Sequence, residues 1–172
     1  MTLKISGASA QGPQVGRGAG HFCWADIGAL STAKSKQFYG AVFNWQAHDL
    51  PLDEWGGNPG TFYTVFQSSG REAAGLYELS LDQRNQKVPP HWLSYVAVED
   101  CEASVARAKE LGGAIVVNAF EIREFGRMAM LLDPAGALFA LWEEKSHPGS
   151  SLEEGAVGSL SWCELMTPDV EK

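Results

Sequence analysis

Residues 21–45 read HFCWADIGALSTAKSKQFYGAVFNW, and residues 91–113 read HWLSYVAVEDCEASVARAKELGG. Each stretch begins with the alternating polarity of a strand and continues with the apolar spacing of a helix. Ser31 and Asp100 stand between the two patterns, where the N-cap of a helix belongs. Both stretches therefore predict the same strand–helix unit.

The closing residues 158–172, GSLSWCELMTPDVEK, begin the same plan a third time. The predicted helix caps follow one another in equal steps of 69 residues, at Ser31, Asp100 and Asp169. The Trp-Ala-Asp of 24–26 returns two steps later as the Trp-Cys-Glu of 162–164. A period this long is typical of half a domain and not of a solenoid repeat. We therefore expect residues 158–172 to form the opening strand and helix start of a second domain.

Each of the first two units has room for three more strands after its helix. They are predicted near residues 45–52, 61–67 and 72–79 in the first unit and near 114–120, 127–132 and 137–143 in the second. The turn DPAG at 133–136 joins the last two strands, with proline and glycine where a type I turn prefers them. Each unit is thus βαβββ, and together they predict one α+β domain over 21–146.

The remaining segments are predicted to connect this domain. Residues 1–20 are rich in Gly, Ser and Ala and predict a flexible N-terminal segment, and residues 147–157 are predicted to be a linker. The three cysteines show no paired spacing, which favours neither a disulfide framework nor a zinc site.

Charge and hydropathy restrict the partners. The formal net charge of −8 repels phosphate backbones, so no nucleic-acid partner is expected. No apolar run approaches the roughly 20 residues of a membrane span, and no signal core follows Met1. The sequence therefore predicts a cytoplasmic protein with no membrane partner.

Three motifs in this order resemble the vicinal oxygen chelate superfamily of glyoxalase I, bleomycin-resistance proteins and extradiol dioxygenases. They are FYGAVFNW at 38–45, GG at 112–113 and DPAGALFALWE at 133–143. WCEL at 162–165 resembles the opening of a domain in a tandem-domain, actinobacterial-type subgroup. The resemblance implies two modules related by a pseudo-two-fold axis, with curled mixed sheets that enclose a cleft. It also implies a homodimer or a tandem second domain as partner.

Metal-dependent members of this superfamily place a ligand on the first and fourth strands of each module. Aligning the FY and DPAG motifs puts these positions at Trp24, Gly75, Leu93 and Ala140. None of these side chains donates a lone pair to a metal, so we expect no metal and no cofactor, and metal-assisted enediolate chemistry is disfavoured. A divalent metal held by His21, His91 and a carboxylate such as Asp26 is the alternative that stays open.

The family orientation implies which side chains point into the cleft. The expected ligand-binding residues are Trp24, Asp26, Tyr77, Tyr95 and Trp142. Aromatic walls with one acid suit a small, partly aromatic or cationic molecule. The same rings could instead fill the interior as core, and the sequence leaves both readings open.

Asp26 is unusual because aspartate is poorly suited to a strand interior, and a buried carboxylate is costly unless it is paired or protonated. It could contact a ligand, act as a general base with a raised pKa, or bond to Tyr95 across the pseudo-two-fold axis. Asp26 and Tyr95 are accordingly the candidate catalytic residues.

Three functions compete. The first is a metal-free small-molecule-binding protein that holds its ligand in an aromatic cleft. The second is a lyase- or oxygenase-type enzyme of the same superfamily, with non-standard metal ligands or none. The third is a structural or assembly module whose cleft is filled by its own side chains.

Overall fold

The computed structural model describes residues 18–53 and 58–167. The predicted segment 1–20 therefore lies mostly outside the described residues, as do Asp169 and the helix it was expected to cap. The first module contains β1 (Phe22–Ala29), α1 (Thr32–Phe43), β2 (Gln46–Pro51), β3 (Phe62–Ser68) and β4 (Arg71–Glu78). A short helix, α2 (Leu81–Asn85), leads to the second module, which contains β5 (His91–Ala97), α3 (Cys101–Glu110), β6 (Ala114–Ile122), β7 (Gly126–Leu132) and β8 (Leu138–Glu144).

One curled, unclosed sheet carries all eight strands, in the order β2-β3-β4-β1-β5-β8-β7-β6. The strands of the first module, read from the centre of the sheet to its edge, follow the order β1-β4-β3-β2. The equivalent strands of the second module follow the same order to the other edge, β5-β8-β7-β6. β1 pairs with β4, and β5 with β8, in parallel, whereas β1 and β5 pair antiparallel and join the halves. The predicted α+β fold of two βαβββ modules is confirmed, and its two half-sheets form one continuous sheet.

The pseudo-two-fold axis passes through the β1–β5 pair. Ala25 lies opposite Ser94, Trp24 opposite Tyr95, and Asp26 opposite Leu93. Ser94 is the residue one 69-residue step after Ala25, so the two equivalent residues face each other at the axis. The repeat found in the sequence is therefore a symmetry of the strand register.

Local signals place the elements where the sequence predicts them. The Ser31 side chain accepts a hydrogen bond from the Lys34 backbone N–H, and Asp100 accepts one from Ala103 at 2.9 Å. Both predicted N-caps are thus confirmed, and the predicted strands after each helix start and end within two residues of the observed ones. Helix α2 was not predicted, because five residues are too few to show a helical period.

Side chains alternate between the two faces of the sheet. One face carries a buried cluster that includes Trp24, Tyr95, Met128 and Trp142. The opposite face packs against the helices: Ile27 and Ala29 lie in a cluster near α1, and α3 contributes Cys101 and Val105 to another. None of the helices in residues 18–53 and 58–167 is long and apolar enough to cross a membrane.

The tail differs from the prediction. The part of it that the structure describes, residues 158–167, contains no strand, so the predicted opening strand is wrong there. A strand needs a neighbouring strand to pair its backbone groups, and these residues have none in the described chain. Cys163 instead lies with its Sγ 3.5 Å from Ser94 Oγ, beside the pseudo-two-fold axis. That residues 158–172 open a second domain stays a prediction.

Candidate functional site

The carboxyl group of Asp26 lies at the centre of the inner face of the sheet. Asp26 is only 5% exposed to solvent. Tyr63 Oη donates to Oδ1 at 2.6 Å, Trp24 Nε1 donates to the same oxygen at 2.9 Å, and Tyr95 Oη donates to Oδ2 at 2.6 Å. Hydroxyl distances this short are typical of bonds to a carboxylate. Both oxygens of the buried acid are therefore partnered.

Each module supplies part of this arrangement. β1 carries both Trp24 and Asp26 because residues two apart on a strand share a face. β3 and β5 bring Tyr63 and Tyr95 to the acid from either side of β1. The bond to Tyr95 joins residues 69 apart, which is the tie across the axis that the sequence offered as one of three explanations.

Gly75 on β4 leaves the space that this arrangement needs. It lies opposite Asp26 in the parallel β1–β4 pair. A Cβ atom added at Gly75 would collide with Asp26 Oδ1 and with the Tyr63 ring and hydroxyl. The absence of a side chain at position 75 therefore allows the Asp26–Tyr63 hydrogen bond.

Burial raises the pKa of Asp26, because the charged carboxylate loses its hydration. The hydrogen bonds from Tyr63, Tyr95 and Trp24 oppose this shift, as does the nearby His147, but the pKa remains above its usual value. Burial and the neighbouring charge of Asp26 hold the pKa values of Tyr63 and Tyr95 well above those of ordinary tyrosines. The two hydroxyls thus keep their protons and act as donors.

An aromatic wall adjoins the acid. The rings of Tyr95 and Trp142 meet edge to face, with centroids 6.4 Å apart. The imidazole of His147 stands edge-on to Trp24 at 5.1 Å and to Trp142 at 6.0 Å. Its Nε2 lies 2.9 Å from Glu72 Oε2. The structure therefore brings together Trp24, Asp26, Tyr95 and Trp142 of the predicted set.

Tyr77, the fifth predicted ligand-binding residue, has a different partner. It is half-buried on β4, and its Oη lies 3.1 Å from His91 Nε2. Burial, with a smaller contribution from the charge of Asp26, raises the pKa of Tyr77 to about 12. The Tyr77 hydroxyl thus bonds to His91 and not to the central acid.

The residues do not fit a divalent metal. The positions at which the resemblance places ligands are Trp24, Gly75, Leu93 and Ala140, and the space beside Gly75 is taken by Asp26 and Tyr63. The alternative set does not come together either, because His21 lines a separate cavity of about 450 Å³ near the tail, with Phe22 and Trp162. Across residues 18–53 and 58–167, no three His, Cys, Asp or Glu side chains are arranged to hold an ion.

Sequence reasoning missed three members of the site. Tyr63 could have been found, because a glycine inside a strand often marks a close approach by a neighbour, and Tyr63 is that neighbour of Gly75. Glu72 and His147 give no such signal. Their meeting depends on the path of the chain after β8, which no local pattern specifies.

Known proteins are similar to this chain over most of its length. The profile of the family described as "Glyoxalase-like domain" matches residues 25–142. The chain is 32% identical over 149 residues to the candidate glyoxylase CFP32 of Mycobacterium tuberculosis, and 31% identical over 157 residues to the anthracycline biosynthesis protein DnrV of Streptomyces peucetius. In each case the match covers 86% of this chain and 55% of the relative. The chain thus spans about half the length of these relatives.

Solved structures share the fold at low sequence identity. Methylmalonyl-CoA epimerase from Mycobacterium tuberculosis superposes with a TM-score of 0.51 at 16% identity, over 74% of this chain and 91% of the epimerase. The Mn(II)-bound glyoxalase from Novosphingobium aromaticivorans gives 0.51 at 13% identity, over 78% of this chain and 42% of the glyoxalase. Likeness at this level is a likeness of fold.

Proposed function

Because the chain belongs to the glyoxalase-like domain family, we propose that it binds a small molecule with Asp26 and aromatic rings in place of a divalent metal. The observation that carries the proposal is the buried Asp26 carboxyl group, held by Tyr63, Trp24 and Tyr95 beside a glycine. Charged and hydrogen-bonding groups are rarely kept in an apolar interior without a specific role, because their burial is costly. Few polar groups within aromatic walls are typical of small-molecule sites.

The walls and charges favour a flat, cationic or partly aromatic ligand. Trp24, Tyr95 and Trp142 offer ring faces and edges, and Asp26 and Glu72 supply negative charge nearby. One relative is named for anthracycline biosynthesis, and an aromatic natural product is compatible with this chemistry. The proposed ligand class is therefore a planar aromatic molecule with a basic or hydrogen-bonding group.

Titration with N-methylquinolinium, a flat aromatic cation, tests the proposal through tryptophan fluorescence. We expect saturable quenching with a smaller amplitude in Trp142→Phe, because this change removes one of the two tryptophans of the aromatic wall and leaves Trp24. Trp162→Phe is the matched control, since Trp162 is 78% exposed on the tail, and it should retain the response.

Metal analysis by mass spectrometry completes the test. We expect less than stoichiometric Mn, Fe, Ni or Zn after dialysis of the purified protein. One tightly held ion per chain, or quenching that does not saturate, would contradict the proposal.

A second function is favoured by the burial of the same rings. Trp24, Tyr95 and Trp142 are only 5%, 5% and 7% exposed. An assembly module with a filled interior would have this property. It would show no saturable quenching by N-methylquinolinium, so the titration separates the two functions.

A further inference from the structure

A segment after β8, residues 145–152, crosses from the second module to the first, and we call it the strap. At its start, the Lys145 and His147 backbone N–H groups donate to the Phe125 carbonyl at 3.0 and 3.1 Å. Further on, the Ser150 N–H donates to the Cys23 carbonyl at 2.8 Å, and its Oγ donates to the Glu72 carbonyl at 2.9 Å. The strap is thus anchored to both modules.

The strap lies tightly on the first module. Gly149 is buried and has a φ of +104°, a conformation that favours glycine. A Cβ atom there would collide with the Cys23 carbonyl on β1. Ser151 adds a reciprocal pair of hydrogen bonds with the Glu72 backbone, at 2.6 and 3.0 Å.

His147 occupies a recess between the modules. Its ring stands edge-on to Trp24, Trp142 and Phe125, at centroid distances of 5.1, 6.0 and 6.4 Å. The Trp142 indole N–H donates to the His147 carbonyl at 2.8 Å. The His147 side chain keeps 23% of its surface exposed, so the recess reaches solvent beside it.

One acid borders this recess, and a second lies within electrostatic range of His147. Glu72 Oε2 lies 2.9 Å from His147 Nε2 and is itself partly exposed. Burial raises the pKa of Asp26, and a positive charge on the nearby His147 acts in the opposite direction and lowers it. A planar ring that carries a positive charge and an N–H donor is the group that these surroundings recognise.

We propose that the strap is an internal occupant of the ligand site, and that a ligand with a basic nitrogen heterocycle displaces His147 from the recess. Such a ligand makes the same edge-on contacts with Trp24 and Trp142 and the same bond to Glu72. This inference rests on the proposed function, and adds the ligand's chemical class and the way in which access to the site is controlled.

Displacement has a thermodynamic signature that a purely structural strap lacks. When only the open form binds, the apparent dissociation constant equals the intrinsic one divided by the open fraction. Weakening the strap outside the recess therefore tightens ligand binding while it lowers the stability of the closed protein. A strap that only supports the fold would give weaker or unchanged binding.

Isothermal titration calorimetry with benzimidazole tests this directly. Ser150→Ala removes a strap bond to the first module, and we expect about fivefold tighter binding, the effect of one intramolecular hydrogen bond. Ser146→Ala is the matched control, because Ser146 Oγ bonds to the Glu124 carbonyl within the second module. We expect less than a twofold change for the control. Equal or weaker binding by Ser150→Ala would overturn the inference.

The ligand class is tested with indole, which has nearly the shape of benzimidazole but no basic nitrogen. We expect benzimidazole to bind at least about tenfold more tightly, and this preference to disappear in Glu72→Gln, because charge-assisted bonds are the stronger ones. Equal affinity of the unaltered protein for benzimidazole and indole would contradict a basic nitrogen heterocycle as the ligand class.

A second strap variant keeps the test independent of Ser150. His147→Gly empties the recess, and free imidazole should raise the melting temperature of this variant more than that of the unaltered protein, in which the ligand must first displace His147. No stabilisation by imidazole would contradict the recess as a ligand site. If benzimidazole and N-methylquinolinium bind to none of the proteins, the proposed function fails; if they bind to all with equal affinity, only the strap inference fails.

Discussion

β1 and β5 occupy equivalent places in the two modules, yet they carry different chemistry at the pseudo-two-fold axis. β1 presents Trp24 and Asp26 to the interior, whereas β5 presents Leu93 and Tyr95 one 69-residue step later. The equivalent residues Asp26 and Tyr95 then bond to each other. Two carboxylates at these positions would repel, and two phenols would leave no strong acceptor. The modules thus share a strand register but carry different side chains at the axis.

The helices of the two modules differ as well. α3 buries Cys101 and Val105 against its half of the sheet, but α1 has no buried residue. Phe38 and Val42 on α1 are 59% and 55% exposed. The second module is therefore closed on its helical side, whereas the first leaves an apolar helix face uncovered in the described chain.

The largest expected change in stability comes from the fourth strand of each module. Gly75 on β4 and Ala140 on β8 occupy equivalent positions there. Gly75→Ala should destabilise the protein by about 3 kcal/mol or more, because the new methyl group collides with Asp26 and Tyr63 in a packed interior. Ala140→Gly is the reverse change and should cost only about 1 kcal/mol. Urea denaturation at 25 °C measures both, and similar costs for the two variants would contradict the crowding at Gly75.

The bond across the axis is tested by a double-mutant cycle. Tyr95→Phe should cost about 2 kcal/mol, because it leaves Asp26 Oδ2 buried without its donor. Combined with Asp26→Leu, the two changes should cost about 1 to 2 kcal/mol less than their sum. Tyr77→Phe is the control for loss of a phenol hydroxyl, and it should show no such coupling with Asp26→Leu. Additive costs for the Tyr95 pair would show that the two residues are independent.

The two helices offer a matched pair of substitutions. Val105→Ala on α3 should cost about 2 kcal/mol, because the side chain is buried. Val42→Ala on α1 should change stability by less than about 0.5 kcal/mol, since its side chain is exposed. A large cost at Val42 in the same denaturation experiment would mean that a partner covers α1 in solution.

The smallest expected effect is the pH dependence that comes from Asp26, whose equivalent in the second module is Tyr95 and not an acid. Since the pKa of Asp26 is higher in the folded than in the unfolded chain, the folded state binds the proton more tightly. Stability from Asp26 is therefore present below the unfolded pKa of about 4 and is lost as the pH rises through the folded pKa, by up to about 1.4 kcal/mol per pH unit.

Denaturation from pH 4 upward, with Asp26→Asn as the reference, isolates this effect. The lowered pKa values of Asp49, Glu121 and Glu153 act in the opposite direction in both proteins and cancel in the comparison. The free energy of unfolding of the unaltered protein should fall relative to that of the variant. A parallel pair of curves would show that the pKa of Asp26 is not raised.

Sequence alone determined the repeat, and with it the two modules, the N-caps at Ser31 and Asp100 and the approximate limits of the strands. These features depend on hydrophobic periodicity and capping, which act within a few residues along the chain. The step of 69 residues also relates Asp26 to Tyr95 from the sequence alone. Their contact was one of the possibilities because a pseudo-two-fold axis brings equivalent strands side by side.

The surroundings of the Asp26 carboxyl group and the occupant of the recess depend instead on contacts between segments that are distant in sequence. Tyr63 reaches Asp26 because β3 and β1 flank β4, where Gly75 leaves room, and His147 meets Glu72 because the strap crosses between the modules. The tail is a further example. Residues 158–167 have the sequence pattern of a strand but form none in the described chain, where no neighbouring strand pairs with them. Contacts of this kind depend on the packing of distant segments, which no local pattern encodes.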